Sequence, residues 1–160
     1  MKQIFESENI SFVELSESLT DDYLTMINDH ENVNRFIGGQ RVTFTEEQEL
    51  RWIREKLEEK ALIFSMIEKK SGKFIGNVEL MDPKSSEGEL GIAITAKMQN
   101  AGFGTEAVIA LTDYAFDRLG MKRVFLRTRS YNGRAIRVYQ KCGFKEYDRN
   151  DEHVYMELSR

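Results

Sequence analysis

The sequence predicts a single α/β domain over residues 1–160, of the α+β kind: a mixed, mostly antiparallel central sheet of about seven strands flanked by helices. Three observations predict it. Seven short runs are apolar or alternate apolar and polar residues, the pattern of strands. Four stretches between them carry apolar residues at helical spacing. Three of the strand runs follow one another with only turn-forming residues between them, so neighbours pair as antiparallel hairpins.

The strand runs are residues 10–15, 61–68, 73–81, 89–95, 122–128, 144–148 and 154–158. Ser71-Gly72-Lys73 reads as the turn joining the second run to the third, and the only proline, Pro83, marks a loop over residues 82–88. A short amphipathic helix is expected over residues 21–28. Thr45-Glu46-Glu47-Gln48 fits a capping box, and Leu50, Ile53 and Leu57 then recur on one face. Residues 105–119 carry Ala107, Val108, Leu111, Tyr114, Ala115 and Leu119 as a broad apolar stripe ended by Gly120. Asn132 caps a last helix with Ala135, Val138, Tyr139 and Cys142 on one side, stopped by Gly143. The order is therefore strand, two helices, three strands, helix, strand, helix, two strands.

At 160 residues the chain is long enough to bury a core. Its 41 % apolar and 31 % charged residues are those of a globular protein, and a formal net charge of −4 lacks the basic surplus of a nucleic-acid binder. The acidic balance suits cationic small molecules or basic peptide ends. One cysteine, Cys142, excludes an internal disulfide, and with two histidines no metal site is expected. No apolar run is long enough to span a bilayer and no leader pattern opens the chain, so a cytoplasmic location without membrane contact is expected.

The segment that points to function is Gln99-Asn100-Ala101-Gly102-Phe103-Gly104-Thr105-Glu106-Ala107. Two glycines one residue apart permit a tight turn and close approach of a ligand to the backbone. The turn opens a helix, whose first N–H groups and positive dipole end attract an anion such as phosphate. A lone pair of glycines also serves simply to ease a helix entrance. Gly102-x-Gly104-x-x-Ala107 fits the dinucleotide fingerprint as well, but Lys97-Met98-Gln99-Asn100 intervenes between it and its strand, and residues 121–133 hold no Asp or Glu to take the ribose. In the preceding strand Leu90, Ile92 and Ile94 share one face, while Glu89, Gly91 and Ala93 leave room on the other for a ligand or for a packed helix.

Gln99-x-x-Gly102-x-Gly104 resembles the Gln/Arg-x-x-Gly-x-Gly/Ala motif of the GNAT N-acetyltransferase superfamily. Asn132-Gly133-Arg134-Ala135-Ile136-Arg137-Val138-Tyr139-Gln140-Lys141-Cys142-Gly143-Phe144 is similar to a second pattern of that family, with Ala135, Tyr139 and Gly143-Phe144 in register. The likeness extends from about residue 10 to residue 158. Within the superfamily, Asp29-His30-Glu31-Asn32-Val33 and the run Gly102 to Ala107 look most like the ribosomal-protein N-terminal acetyltransferase subgroup.

The resemblance implies acetyl-coenzyme A as cofactor. It assigns the pyrophosphate to backbone N–H groups of Gln99, Asn100, Ala101, Gly102, Phe103, Gly104 and Thr105. The pantetheine arm would pair with strand backbone at Ile92 and Ile94, between strands 89–95 and 122–128, which splay apart in the family. Asn132 would contact the arm or phosphates, beside its role as a helix cap. Arg134 and Arg137 would reach phosphate oxygens or form a solvated helix face. Tyr139 matches the family's general acid, against a purely packing role on its apolar stripe. Glu89 is the first candidate for the base and Glu79 the second, either of them otherwise a surface acid. A strand N–H such as that of Ile92 or Ala93 would stabilise the developing oxyanion.

The expected activity is direct acetyl transfer to a primary amine, on a small molecule or a peptide N-terminus, by a monomer or homodimer. Direct transfer follows because Cys142, far in sequence from His30 and His153, makes a poor covalent nucleophile. The alternative is a non-catalytic acyl-coenzyme A-binding sensor or interaction module of the same fold. Residues 28–39 and 82–88, both loop-like, and the helix bearing Trp52 are the candidates for walls of the acceptor site.

Overall fold

A computed structural model describes residues 1–37 and 41–160. Eight strands form one sheet: β1 (Gln3–Glu6), β2 (Ile10–Glu14), β3 (Leu62–Glu68), β4 (Phe74–Met81), β5 (Glu87–Ile94), β6 (Arg123–Arg129), β7 (Lys145–Arg149) and β8 (His153–Ser159). Their order is β1-β2-β3-β4-β5-β6-β8-β7. Every pairing is antiparallel except that of β5 with β6. The mixed α/β class holds, with eight strands in place of about seven. The strand missing from the sequence reading is β1. It is four residues long, at the sheet edge, and is held by the Phe5 ring stacked between Phe12 at 4.3 Å and Tyr114 at 4.4 Å. No local period of four residues distinguishes such a strand from coil.

The helices are α1 (Thr20–Ile27), a one-turn α2 (Arg35–Ile37), α3 (Glu46–Glu58), α4 (Phe103–Asp113) and α5 (Gly133–Lys141). The expected loop over residues 28–39 is largely helical: a wide π-turn at His30–Asn34 leads directly into α2. Gly38 and Gly39, the end of that predicted loop, lie outside the described residues. The Thr45 hydroxyl accepts from the Gln48 N–H and the Gln48 side chain accepts from the Thr45 N–H, completing the capping box that starts α3. α4 begins two residues before the expected Thr105 and loosens into a π-turn at Tyr114–Arg118.

The sheet separates two cores. On one face β4 residues Ile75, Val78 and Leu80 pack with Ala107, Val108 and Leu111 of α4, the stripe read from the sequence. On the other, Leu19, Tyr23, Met26 and Val33 close with Ile53 over Ile63 and Phe74. The α3 face differs by one residue from the expected Leu50, Ile53, Leu57. Leu57 is 43 % exposed; Glu49 and Ile53 are buried, and Leu50, Trp52 and Lys56 are half-buried. Gly76 is fixed by contact, because a Cβ there would sit 2.0 Å from the Ala93 carbonyl oxygen on β5.

Candidate functional site

The parallel junction is short. Glu87, Gly88 and Glu89 of β5 pair with Arg123, Val124 and Phe125 of β6, and beyond them the two strands part. Which backbone groups face the opening follows from the hydrogen-bond alternation. The Thr95 N–H bonds the Ile75 carbonyl, so odd-numbered β5 residues turn their peptide groups to β4. Even-numbered ones turn the other way: the Ser86 carbonyl accepts from Lys122 and Arg123, and the Ile94 carbonyl accepts from the Gln99 side chain. Ile92 and Ile94 therefore front the gap, and the N–H positioned there is that of Ile92 rather than Ala93.

At one end of the gap the glycine segment folds as a preformed cradle. Asn100 (φ 61°) and Gly102 (φ 88°) are both left-handed, and Gly102 caps α4. This curls the chain so that the first-turn N–H groups of α4, which have no intrahelical acceptor, converge on one point. The loop is braced by side chains. Gln99 Nε2 donates to the Asn32 carbonyl at 3.1 Å and the Ile94 carbonyl at 2.9 Å. Gln99 Oε1 accepts from Arg134 Nη2 at 2.9 Å, and Asn100 Oδ1 from Arg134 Nη1 at 3.3 Å. Arg134 thus ties α5 to the cradle instead of lying free on a solvated face.

α5 forms the opposite wall. Asn132 Oδ1 accepts from the Ala135 N–H, the helix cap expected of it, and the residue also borders the cavity. Arg137 is exposed and folds back over the start of its own helix, its Nη1 lying 3.2 Å from where a Gly133 Cβ would be. Tyr139 is 7 % exposed, packs on Phe144 at 5.9 Å and borders the cavity. Burial, reinforced by the neighbouring Cys142, pushes its phenol well above the ordinary value near 10, so it keeps its proton. Cys142 contacts the Thr105 carbonyl at 3.7 Å, and burial pushes its thiol up to about 11. At neutral pH it is a protonated packing group.

The cavity that joins these walls measures about 740 Å³. It brings together Glu89, Ile92, Ile94, Gln99, Asn100, Gly102, Gly104, Thr105, Asn132 and Tyr139 of the sequence-predicted residues. Ala101, Phe103 and Arg137 are not on its wall: Ala101 and Arg137 are exposed, and the Phe103 ring is buried in the core under α4. The segment from residue 30 to residue 37 roofs the gap. It is held on one side by Gln99 and on the other by Tyr131, whose hydroxyl donates to the Arg35 carbonyl at 3.0 Å.

The far end of the cavity is acidic. Glu79 of β4 leans across Gly91, the open strand face read from the sequence, with its Oε1 3.2 Å from where a Gly91 Cβ would be. Burial raises the Glu79 carboxyl above the usual range; Lys56 opposes this and Glu89 adds to it. Glu89 is paired with Arg127 Nε at 3.7 Å. Glu49 of α3 also borders the cavity, beside Trp52. Arg127 and Glu49 were absent from the sequence reading. The signal for Glu49 was its spacing of four from Ile53, obscured because first-turn acids are ordinary at a helix start. Among the described residues no group of His, Cys, Asp and Glu is arranged to hold a metal, and no helix is long and apolar enough to cross a membrane.

Comparison with known proteins matches residues 10–145 to the family model of the acetyltransferase (GNAT) domain. A spermidine N(1)-acetyltransferase of Vibrio cholerae is 29 % identical over 83 residues, 51 % of this chain and 48 % of that protein. The chain spans about half the length of the curated relatives it matches. Among solved structures, a spermidine N-acetyltransferase from Vibrio cholerae in complex with CoA and spermine superposes with a TM-score of 0.85 at 17 % identity, covering 96 % of both chains. A ribosomal-protein-S5-alanine acetyltransferase from Vibrio fischeri gives 0.76 at 20 %, covering 97 % of this chain and 95 % of that one. These two likenesses are of fold.

Proposed function

Because the chain belongs to the GNAT acetyltransferase family, we propose that it is an acetyl-coenzyme A-dependent N-acetyltransferase acting by direct transfer to a primary amine. The observation that carries the reading is one cavity joining the α4 cradle, the parted β5 and β6, and a buried, protonated Tyr139. The residues fit the cofactor: the left-handed turn at Asn100 and Gly102 gathers N–H donors for a pyrophosphate, and Ile92 and Ile94 offer strand backbone to the pantetheine amides. Bound acetyl-coenzyme A supplies an activated acetyl thioester and leaves as a free thiol. The spermidine acetyltransferase relative supports a small-molecule amine as acceptor.

The chain's own groups then divide the proton work. An alkyl ammonium, with a pKa near ~10.4, must lose its proton to become a nucleophile. Glu79 accepts it. Its burial and the Glu89 charge make it a stronger base than an exposed carboxylate, while Glu89 itself is paired with Arg127. The Ile92 N–H faces the gap as a donor for negative charge developing on oxygen. Tyr139 Oη holds the proton that a departing thiolate takes up.

Calorimetry with acetyl-coenzyme A and a free-thiol assay over an amine panel test the reading. Saturable binding and amine-dependent thiol release are expected; no binding at millimolar cofactor overturns it. Glu79→Gln is expected to lower kcat/KM by about 100-fold at neutral pH. The deficit should shrink toward pH 10, where solvent supplies the amine as free base. A deficit independent of pH would remove Glu79 as proton acceptor.

A further inference from the structure

Acetyl transfer to a simple amine leaves one group in the cavity without a task. Glu49 is 8 % exposed and lies on the cavity wall, yet among the described residues it has neither a hydrogen-bond nor an ion-pair partner. The cation on the same α3 face, Lys56, bonds Glu59 at 3.2 Å and acts on Glu79. The hydroxyl nearest in influence, Tyr23, is engaged by Ser65 and the Ser16 N–H. A carboxylate on a cavity wall without a protein partner favours a cation beside it. Burial raises the Glu49 carboxyl above its ordinary range.

The wall around Glu49 supplies the rest of the argument. Trp52, Phe36, Phe44 and Met81 border the same cavity as apolar surface, and Glu79 is a second carboxylate on it. Of the other carboxylates on this cavity, Glu89 is paired with Arg127 and Asp82 is exposed. Among the described residues this leaves Glu49 and Glu79 as the two shielded, unpaired ones, a match for a molecule with two ammonium groups joined by an aliphatic chain. A monoamine would leave Glu49 desolvated and unpaired, and the site would discriminate against it for that reason. A peptide N-terminus offers a single cation followed by polar amides, which fit this wall poorly.

We propose that Glu49 is a specificity-determining residue that receives a second ammonium of the acceptor, making the preferred acceptor an aliphatic di- or polyamine. The proposal rests on the transferase reading for the nitrogen that reacts, and on Glu49 alone for the nitrogen that does not. It makes Glu49 and Glu79 complementary: one holds a charge in place and the other removes a proton.

Putrescine and n-butylamine share a four-carbon chain and differ by one ammonium group. In a thiol-release assay on the intact protein, putrescine is expected to exceed n-butylamine in kcat/KM by about tenfold or more. Glu49→Gln, verified as folded by circular dichroism, should reduce that ratio to about twofold or less, chiefly through KM for putrescine. A wild-type ratio near one, a ratio insensitive to Glu49→Gln, or an alanine-initiated peptide outpacing putrescine overturns the proposal. The wild-type comparison stands even if the variant does not fold. Calorimetry of putrescine on the coenzyme A-treated protein separates the two readings. No turnover with any amine sinks the transferase reading, while putrescine binding weakened about tenfold by Glu49→Gln retains the ammonium subsite. Putrescine binding that is absent, or equal in both proteins, overturns the subsite.

Discussion

Replacing Tyr139 with phenylalanine should lower kcat by about 100- to 10,000-fold while leaving acetyl-coenzyme A affinity nearly unchanged. The ring is 7 % exposed and packed on Phe144, and phenylalanine keeps that packing, so the folded state is retained. What is lost is one hydroxyl on the cavity wall. Burial and Cys142 hold that hydroxyl protonated well past neutral pH, as a proton donor requires. The sign is definite: a phenol raised above its ordinary value loses its proton only at still higher pH, so Tyr139 imposes no loss of activity between pH 7 and about 10. Steady-state turnover under conditions where chemistry is limiting, with calorimetry of the cofactor, checks this. Turnover equal to the wild type would remove Tyr139 as the acid and leave it a packing residue.

Gly76→Ala is expected to be the most damaging single methyl in the sheet. The added Cβ would meet the Ala93 carbonyl oxygen at 2.0 Å and the Ala93 carbon and Ile94 Cα at 2.9 Å. These are backbone atoms, so no side-chain rotation relieves the overlap and β4 must move from β5. The cost is about 3 kcal/mol, which for a domain of this size lowers Tm by roughly 6–12 °C. Because β5 carries Ile92 and Ile94 to the gap, cofactor affinity should fall with stability. Gly88→Ala is the control. Its Cβ meets only side-chain ends, Met121 at 3.4 Å and Leu80 at 3.6 Å, both ordinary contacts. Thermal denaturation of both variants decides, and equal melting temperatures would show that the strands can separate at little cost.

The sequence carried the cradle and the α5 wall because both are local. Gln99, Gly102 and Gly104 lie within six residues, and Asn132, Tyr139 and Gly143 recur at helical spacing, so their geometry follows from a single turn or helix. Even there, side chains took roles that spacing does not encode. Gln99, expected beside a phosphate, braces the loop through Asn32, Ile94 and Arg134. The acidic end of the cavity was less legible. Glu79, Glu49 and Arg127 come from β4, α3 and β6, and no short-range pattern links them. Glu49 was further disguised by the choice of α3 face, where Leu57 is exposed and a carboxylate is inside.

By itself the sequence determined the fold class, the cradle and the tyrosine on the last helix, since apolar period, glycine placement and capping act over one or two turns of chain. The tertiary structure alone decided where β5 and β6 part, which β5 peptide groups face the gap, and how deeply Glu79, Glu49 and Tyr139 are buried. Those are consequences of strand pairing between residues 36 apart, as Glu87 with Arg123, and of desolvation by several elements at once. Desolvation sets the proton affinity of an acid or a base, and it exists only once the chain has closed around the group.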